Sequence, residues 1–178
     1  MCDTPHPDRR RRALLASVPA MLLLGLAPRA RAAAPTALAD LPAPGPGDTC
    51  PVCGMFVAKY PEWIATILYA DGRALHFDGP KDFFKFVLEP DRYLPGYAGA
   101  PIAAMGVTEY YTLARIDARG AVYVLGSDTL GPMGHELVAL ETGADAADFM
   151  RDHAGKRQLG FDEVTPALLA GLDEGRFE

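Results

Sequence analysis

The chain has 178 residues with 17 Lys or Arg against 23 Asp or Glu, a formal net charge of −6. That length suits one domain or two small ones, and 49% hydrophobic residues mark a globular chain and not a disordered one. Six of the basic and two of the acidic residues fall within residues 1–32, so 11 oppose 21 in the remainder, a charge near −10. Such a balance excludes nucleic acid and anionic membrane surfaces as natural partners.

The N-terminus has the order of a secretory signal peptide. Arg9 to Arg12 form a positive run, Ala13 to Ala27 is apolar, and Ala30-Arg31-Ala32 gives a small-x-small cleavage site. The apolar run is short for a membrane span and is closed by Arg29 and Arg31. The consecutive arginines also resemble a twin-arginine export signal, without its usual phenylalanine. No cysteine follows the apolar run within a few residues, so a lipid anchor is not expected. Residues 33–49, rich in Ala, Pro and Gly, read as an extended linker.

The folded body is expected to start at Cys50. Met55 to Ala58 reads as a short strand, and Glu62 to Ala70 as a longer one. Asp71-Gly72 signals a tight hairpin returning through Arg73 to Phe77. Asp78 is placed to cap a helix with Pro80 in its first turn and Phe83, Phe84 and Val87 on its apolar face, stopped by Pro90. Further strands are expected over Thr108–Ile116, Ala121–Leu125 and Glu136–Leu140, with a polar loop from Ser127 to Gly134. Asp145 opens a helix ended by Gly155, with Ala146, Phe149, Met150 and His153 on one face. Gln158–Val164 reads as a last strand and Thr165-Pro166 as the start of a terminal helix. Both halves share an outline of strands, helix and strand, a weak internal repeat. The expected organisation is α+β: a unit over 50–105 and a second over 106–178, packed together.

Chemistry points to Cys50-Pro51-Val52-Cys53-Gly54-Met55. A disulfide closing so short a loop would staple little of the fold, so redox or metal chemistry explains the pair better. Redox use needs a cysteine at a helix N-terminus, and Gly-Met-Phe-Val is a poor helix start. A closed zinc site needs four ligands, whereas His76, His135 and His153 are scattered. Cu(I) accepts two or three soft donors, which Cys53 and Met55 begin to supply. Met133, between Pro132 and Gly134, reads equally as ligand or packing. His135 is a further candidate, although an unligated histidine is the commoner fate. His76, His153, Met105 and Met150 read as structural, and Asp71, Asp78, Asp128 and Asp145 as turn or cap residues.

Cys-Pro-Val-Cys-Gly-Met, then Phe-Asp-Gly before an aromatic helix, then Val-Leu-Gly-Ser-Asp-Thr-Leu-Gly-Pro-Met-Gly, over roughly residues 48–164, resemble the NosL family. The resemblance implies a periplasmic Cu(I) metallochaperone, not an enzyme, that serves assembly of the copper centres of nitrous oxide reductase with a membrane transporter and its periplasmic partner. It implies two similar ββαβ units akin to a domain of organomercurial lyase. It also implies copper ligation by Cys53, Met55 and Met133, with Cys50 either a further ligand or a disulfide partner of Cys53 when no metal is bound. The alternative is a thiol-disulfide reductase using Cys50 and Cys53.

Overall fold

The computed structural model describes Leu38 and residues 41–177. The expected signal peptide, and the linker up to residue 40 apart from Leu38, lie outside the described residues. Among the described residues no helix is long and apolar enough to cross a membrane.

Two antiparallel sheets carry the fold. The first is ordered β2-β1-β3-β4, from β1 (Ala65–Tyr69), β2 (Ala74–Phe77), β3 (Ile102–Thr108) and β4 (Arg115–Asp117). Helices α1 (Pro80–Leu88) and α2 (Pro90–Tyr93) lie between β2 and β3 in sequence. The second sheet is ordered β8-β5-β9, from β5 (Val122–Leu125), β8 (Val138–Leu140) and β9 (Arg157–Leu159). Between β5 and β8 sits a small hairpin of β6 (Leu130–Gly131) and β7 (Gly134–His135), and α3 (Gly143–Asp152) precedes β9. Helix α4 (Pro166–Asp173) closes the chain.

The Asp71-Gly72 turn forms as expected. Gly72 takes a φ of +88°, which glycine adopts without a Cβ penalty, and β1 pairs with β2 from Ala65↔Phe77 to Leu68↔Ala74. Thr142 and Thr165 cap α3 and α4, their side chains accepting from the amides of Asp145 and Leu168. Pro90 ends α1 and at once starts α2, because proline is favoured in a first turn.

Alternation along β5 ties the two layers together. Tyr123 and Leu125 face the main core with Ile67, Met105, Phe83 and Phe84, while Val124 faces Val138, Leu140, Ala146 and Phe149 beneath α3. Aromatic rings from α1 fill the junction: Phe84 lies edge-on to Tyr123 at 4.9 Å and 5.0 Å from Phe161. Tyr123 itself donates its buried hydroxyl to the Ala118 carbonyl at 2.6 Å, which satisfies the polar end of an otherwise apolar side chain.

Several expected elements differ. Met55–Ala58 is not a strand: Val57–Lys59 is a 3-10 turn, and only Phe56 bridges back, to Thr49. Thr108–Ile116 is interrupted, since the Glu109 carboxylate accepts from the Thr112 amide (2.6 Å) and hydroxyl (2.7 Å) and folds Tyr110 and Tyr111 into a turn. The strand runs instead over Ile102–Thr108, whose Ala- and Gly-rich sequence has weak strand propensity but pairs along β1. That strand crosses the expected 105/106 boundary, and β4 completes the first sheet beyond it. Gln158–Val164 shortens to β9 and a 3-10 turn over Phe161–Glu163. Within the expected linker, Leu41 is 4% exposed, and its carbonyl accepts from Arg115 Nη1 at 2.6 Å.

Candidate metal centre

The cysteine loop is the tip of a very short hairpin. Thr49 bridges Phe56, the Cys50 amide donates to the Met55 carbonyl at 2.9 Å, and the Gly54 amide donates to the Cys50 carbonyl at 2.8 Å. Gly54 closes the loop with a φ of +79°, a conformation that suits glycine. This closure buries Cys50 (2% exposed) and leaves Cys53 half-buried.

The loop packs against the first turn of α1. Asp78 does not cap that helix. Gly79 is the N-cap residue and no side chain caps it, while Asp78, 1% exposed, turns its carboxylate to the Cys53 thiol, whose Sγ lies 3.3 and 3.4 Å from its two oxygens. Asp82, one helical turn on and 3% exposed, lies 3.6 Å from Cys50 Sγ. A ligand atom from each of Cys50, Cys53, Asp78 and Asp82 falls within 4.8 Å of the others. Sequence reasoning took Asp78 for a cap and gave Asp82 no role. Their four-residue separation across the helix start, one before the N-cap and one in the first turn, was the available signal.

Both thiols are held protonated. Burial, with neighbouring carboxylates adding to it, raises the Cys50 thiol far above the ordinary thiol range. The same causes, with Asp82 and Asp78 as the carboxylates, push Cys53 up to about 12. Thiolate is the nucleophile in disulfide exchange, so at neutral pH this pair is a slow nucleophile. Metal-free protein should therefore react with iodoacetamide at pH 7 many times more slowly than free cysteine. Alkylation at the free-cysteine rate would contradict the protonated, buried pair. A bound cation reverses the preference, because it stabilises thiolate directly.

The other expected ligands sit at the margin. Met55 is half-buried on the loop. Met133 is 46% exposed at the tip of the β6–β7 hairpin, where Leu130 pairs with His135 and Gly131 with Gly134. That hairpin is fastened to the same turn of α1, since Lys81 Nζ donates to the Met133 carbonyl at 3.1 Å. His135 packs its ring edge-on to Phe177 at 4.9 Å and leaves Nδ1 buried without a hydrogen-bond partner among the described residues. His76 bonds Thr66 across β1 and β2 at 3.0 Å, and His153 stacks on Phe149. These two are structural, as the sequence indicates.

Two thiols and two carboxylates converging at the start of α1, with Met55 on the cysteine loop and Met133 on the hairpin tied to the same helix, give this α+β chain the donor set of a small metal-binding protein. The chain belongs to the NosL family, whose profile matches residues 43–169. Its fold resembles the crystal structure of the copper chaperone NosL from Shewanella denitrificans, with 26% identity and a TM-score of 0.58 over 71% of this chain and 96% of that one. The solution structure of apo-NosL from Achromobacter cycloclastes also matches, with 25% identity and a TM-score of 0.43 over 59% of this chain and 87% of that one. No curated protein matches. NosL is a chaperone family and not an enzyme family, so the alternative of a thiol-disulfide reductase is set aside.

Proposed function

We propose that this chain is a periplasmic Cu(I) carrier that supplies copper for assembly of the copper centres of nitrous oxide reductase, working with that enzyme's membrane transporter and periplasmic assembly proteins. The observation that carries the copper reading is the pairing of family membership with the convergence of Cys50, Cys53, Asp78 and Asp82. The matched Shewanella protein is a copper chaperone, and the export signal expected in residues 1–32 supports the compartment.

In this reading Cys53 supplies thiolate and Met55 and Met133 supply thioethers. Thioethers hold Cu(I) without adding charge and exchange readily, which suits a carrier that must release its cargo. Cys50 is the reserve thiol, and His135, turned onto Phe177, is the least suited. Asp78 and Asp82 are hard donors that attract the cation and accept hydrogen bonds from the thiols before it arrives. The same strand order in the two sheets, second-first-third with a helix before the third, supports a repeated ββαβ unit as the origin of the fold.

The test is an anaerobic Cu(I) titration of the reduced protein against a competing chelator. One-to-one competitive binding is expected, and failure to compete would reject the carrier. The buried thiols set its pH dependence. A thiol with a pKa near 12 is protonated throughout the working range, and copper must displace that proton. Affinity should therefore rise with pH, roughly tenfold per unit for each ligating thiol, with proton release visible in an indicator dye. A flat profile from pH 6 to 8 would rule out thiolate coordination.

A further inference from the structure

Glu136 and Lys81 are joined in a way that copper ligation does not explain. Glu136 is 3% exposed, on the segment between β7 and β8. Its Oε1 accepts from the Lys81 amide at 2.5 Å and from the Leu137 amide at 2.9 Å. Two glycines make room for it: a Cβ at Gly79 would overlap Glu136 Oε2, and one at Gly131 would sit 3.0 Å from its Cγ. Lys81, 2% exposed, turns its Nζ the other way, to the Met133 carbonyl and to Asp173 at 3.1 Å. One residue of α1 thus grips the hairpin twice, at its base through Glu136 and at its tip through Met133. The flanking carboxylates, Asp78 and Asp82, hold the cysteine loop. The start of α1, from Asp78 to Asp82, is thus tied to both donor-bearing loops.

We propose that Lys81 and Glu136 are positioning residues that fix the Met133 hairpin against the cysteine loop and so set copper affinity through Met133. This rests on the reading of Met133 as a ligand. A buried carboxylate with two amide donors, and a buried ammonium on a backbone carbonyl, are costly to strand in an apolar interior. They are retained where the orientation of a ligand depends on them.

The test pairs Lys81→Met with Met133→Leu. Lys81→Met keeps the buried stem and removes only the charged tie, so it avoids the folding loss that Glu136→Ala risks. Cu(I) affinity of Lys81→Met should fall at least about tenfold. In the Met133→Leu background the same change should cost less than about twofold, because the residue acts through Met133. Asp173→Asn, which weakens the 42% exposed ion pairs of Asp173 with Lys81 and Lys85 but leaves the Lys81–Met133 bond in place, should leave affinity within about twofold. Equal losses in both backgrounds, or no loss in either, would overturn the proposal. Amide hydrogen exchange of metal-free protein separates the two readings. Faster exchange across Leu130–His135 in Lys81→Met supports the tether even if Met133→Leu leaves copper affinity unchanged and Met133 is no ligand. Unchanged exchange overturns the tether.

Discussion

Cys53→Ser should weaken Cu(I) binding by roughly two to three orders of magnitude. The size follows from metal sites in general, where four ligands together supply about 10–16 kcal/mol, or about 3 kcal/mol each, and every 1.4 kcal/mol is about tenfold. Serine is too weak an acid and too hard a donor to replace thiolate for a soft ion. Cys50→Ser should cost less if Cys50 is the reserve thiol, because it is the more deeply buried of the two and moves least easily to a metal shared with the exposed Met133. Both variants are read by chelator competition under reducing, anaerobic conditions. Equal and complete loss in the two would show that copper sits inside the pair, with the methionines as bystanders.

The second large effect is on stability. Phe84 is 1% exposed and touches Phe83, Tyr123 and Phe161 at ring separations of 5.2, 4.9 and 5.0 Å. Its removal opens the joint between α1 and the second sheet. Phe84→Ala should cost about 3–5 kcal/mol, a large part of the 5–15 kcal/mol that holds a typical domain, and lower Tm by about 10 °C or more. Phe56→Ala, on a side chain 46% exposed, should change stability by less than about 0.5 kcal/mol. Thermal unfolding of the two variants checks both figures. Near-equal Tm values would mean that the aromatic joint is not what couples the sheets. Because the first turn of the same helix carries Asp82 and the residue before its N-cap is Asp78, loosening Phe84 should also loosen the candidate metal centre.

Much of the fold was legible in local chemistry. The Asp71-Gly72 hairpin, Pro80 in the first turn of α1, and the threonine cap of α4 are signals whose physics is complete within four or five residues, whereas α3 starts at Gly143 behind a Thr142 cap and not at Asp145. Errors gathered where tertiary contacts decide. Ile102-Ala103-Ala104-Met105-Gly106 looks like a poor strand, yet it is central in its sheet because β1 and β4 supply its hydrogen bonds. Tyr110 and Tyr111 look like strand residues, yet the Glu109 carboxylate captures the Thr112 amide and turns the chain.

The metal centre divides along the same line. Spacing alone singled out Cys50, Cys53 and Met55, since a short loop is itself local. Asp78 was misread for a sound reason: an aspartate before Gly-Pro at a helix start is an ordinary cap, and only the distant Cys53 draws it away. Lys81 and Glu136 carry no sequence signal, because their meeting depends on the β6–β7 hairpin folding back onto α1 across the whole first half of the body.

The central claim is that sulfur, from Cys53, Met55 and Met133, holds the ion, with the carboxylates standing outside the shell. X-ray absorption at the copper edge of the anaerobic Cu(I)-loaded protein tests it most directly. The account predicts a first shell of sulfur donors that loses a scatterer in Met133→Leu. A shell containing oxygen, unchanged in Met133→Leu and altered in Asp78→Asn, would contradict it and assign the ion to the two cysteines and two aspartates.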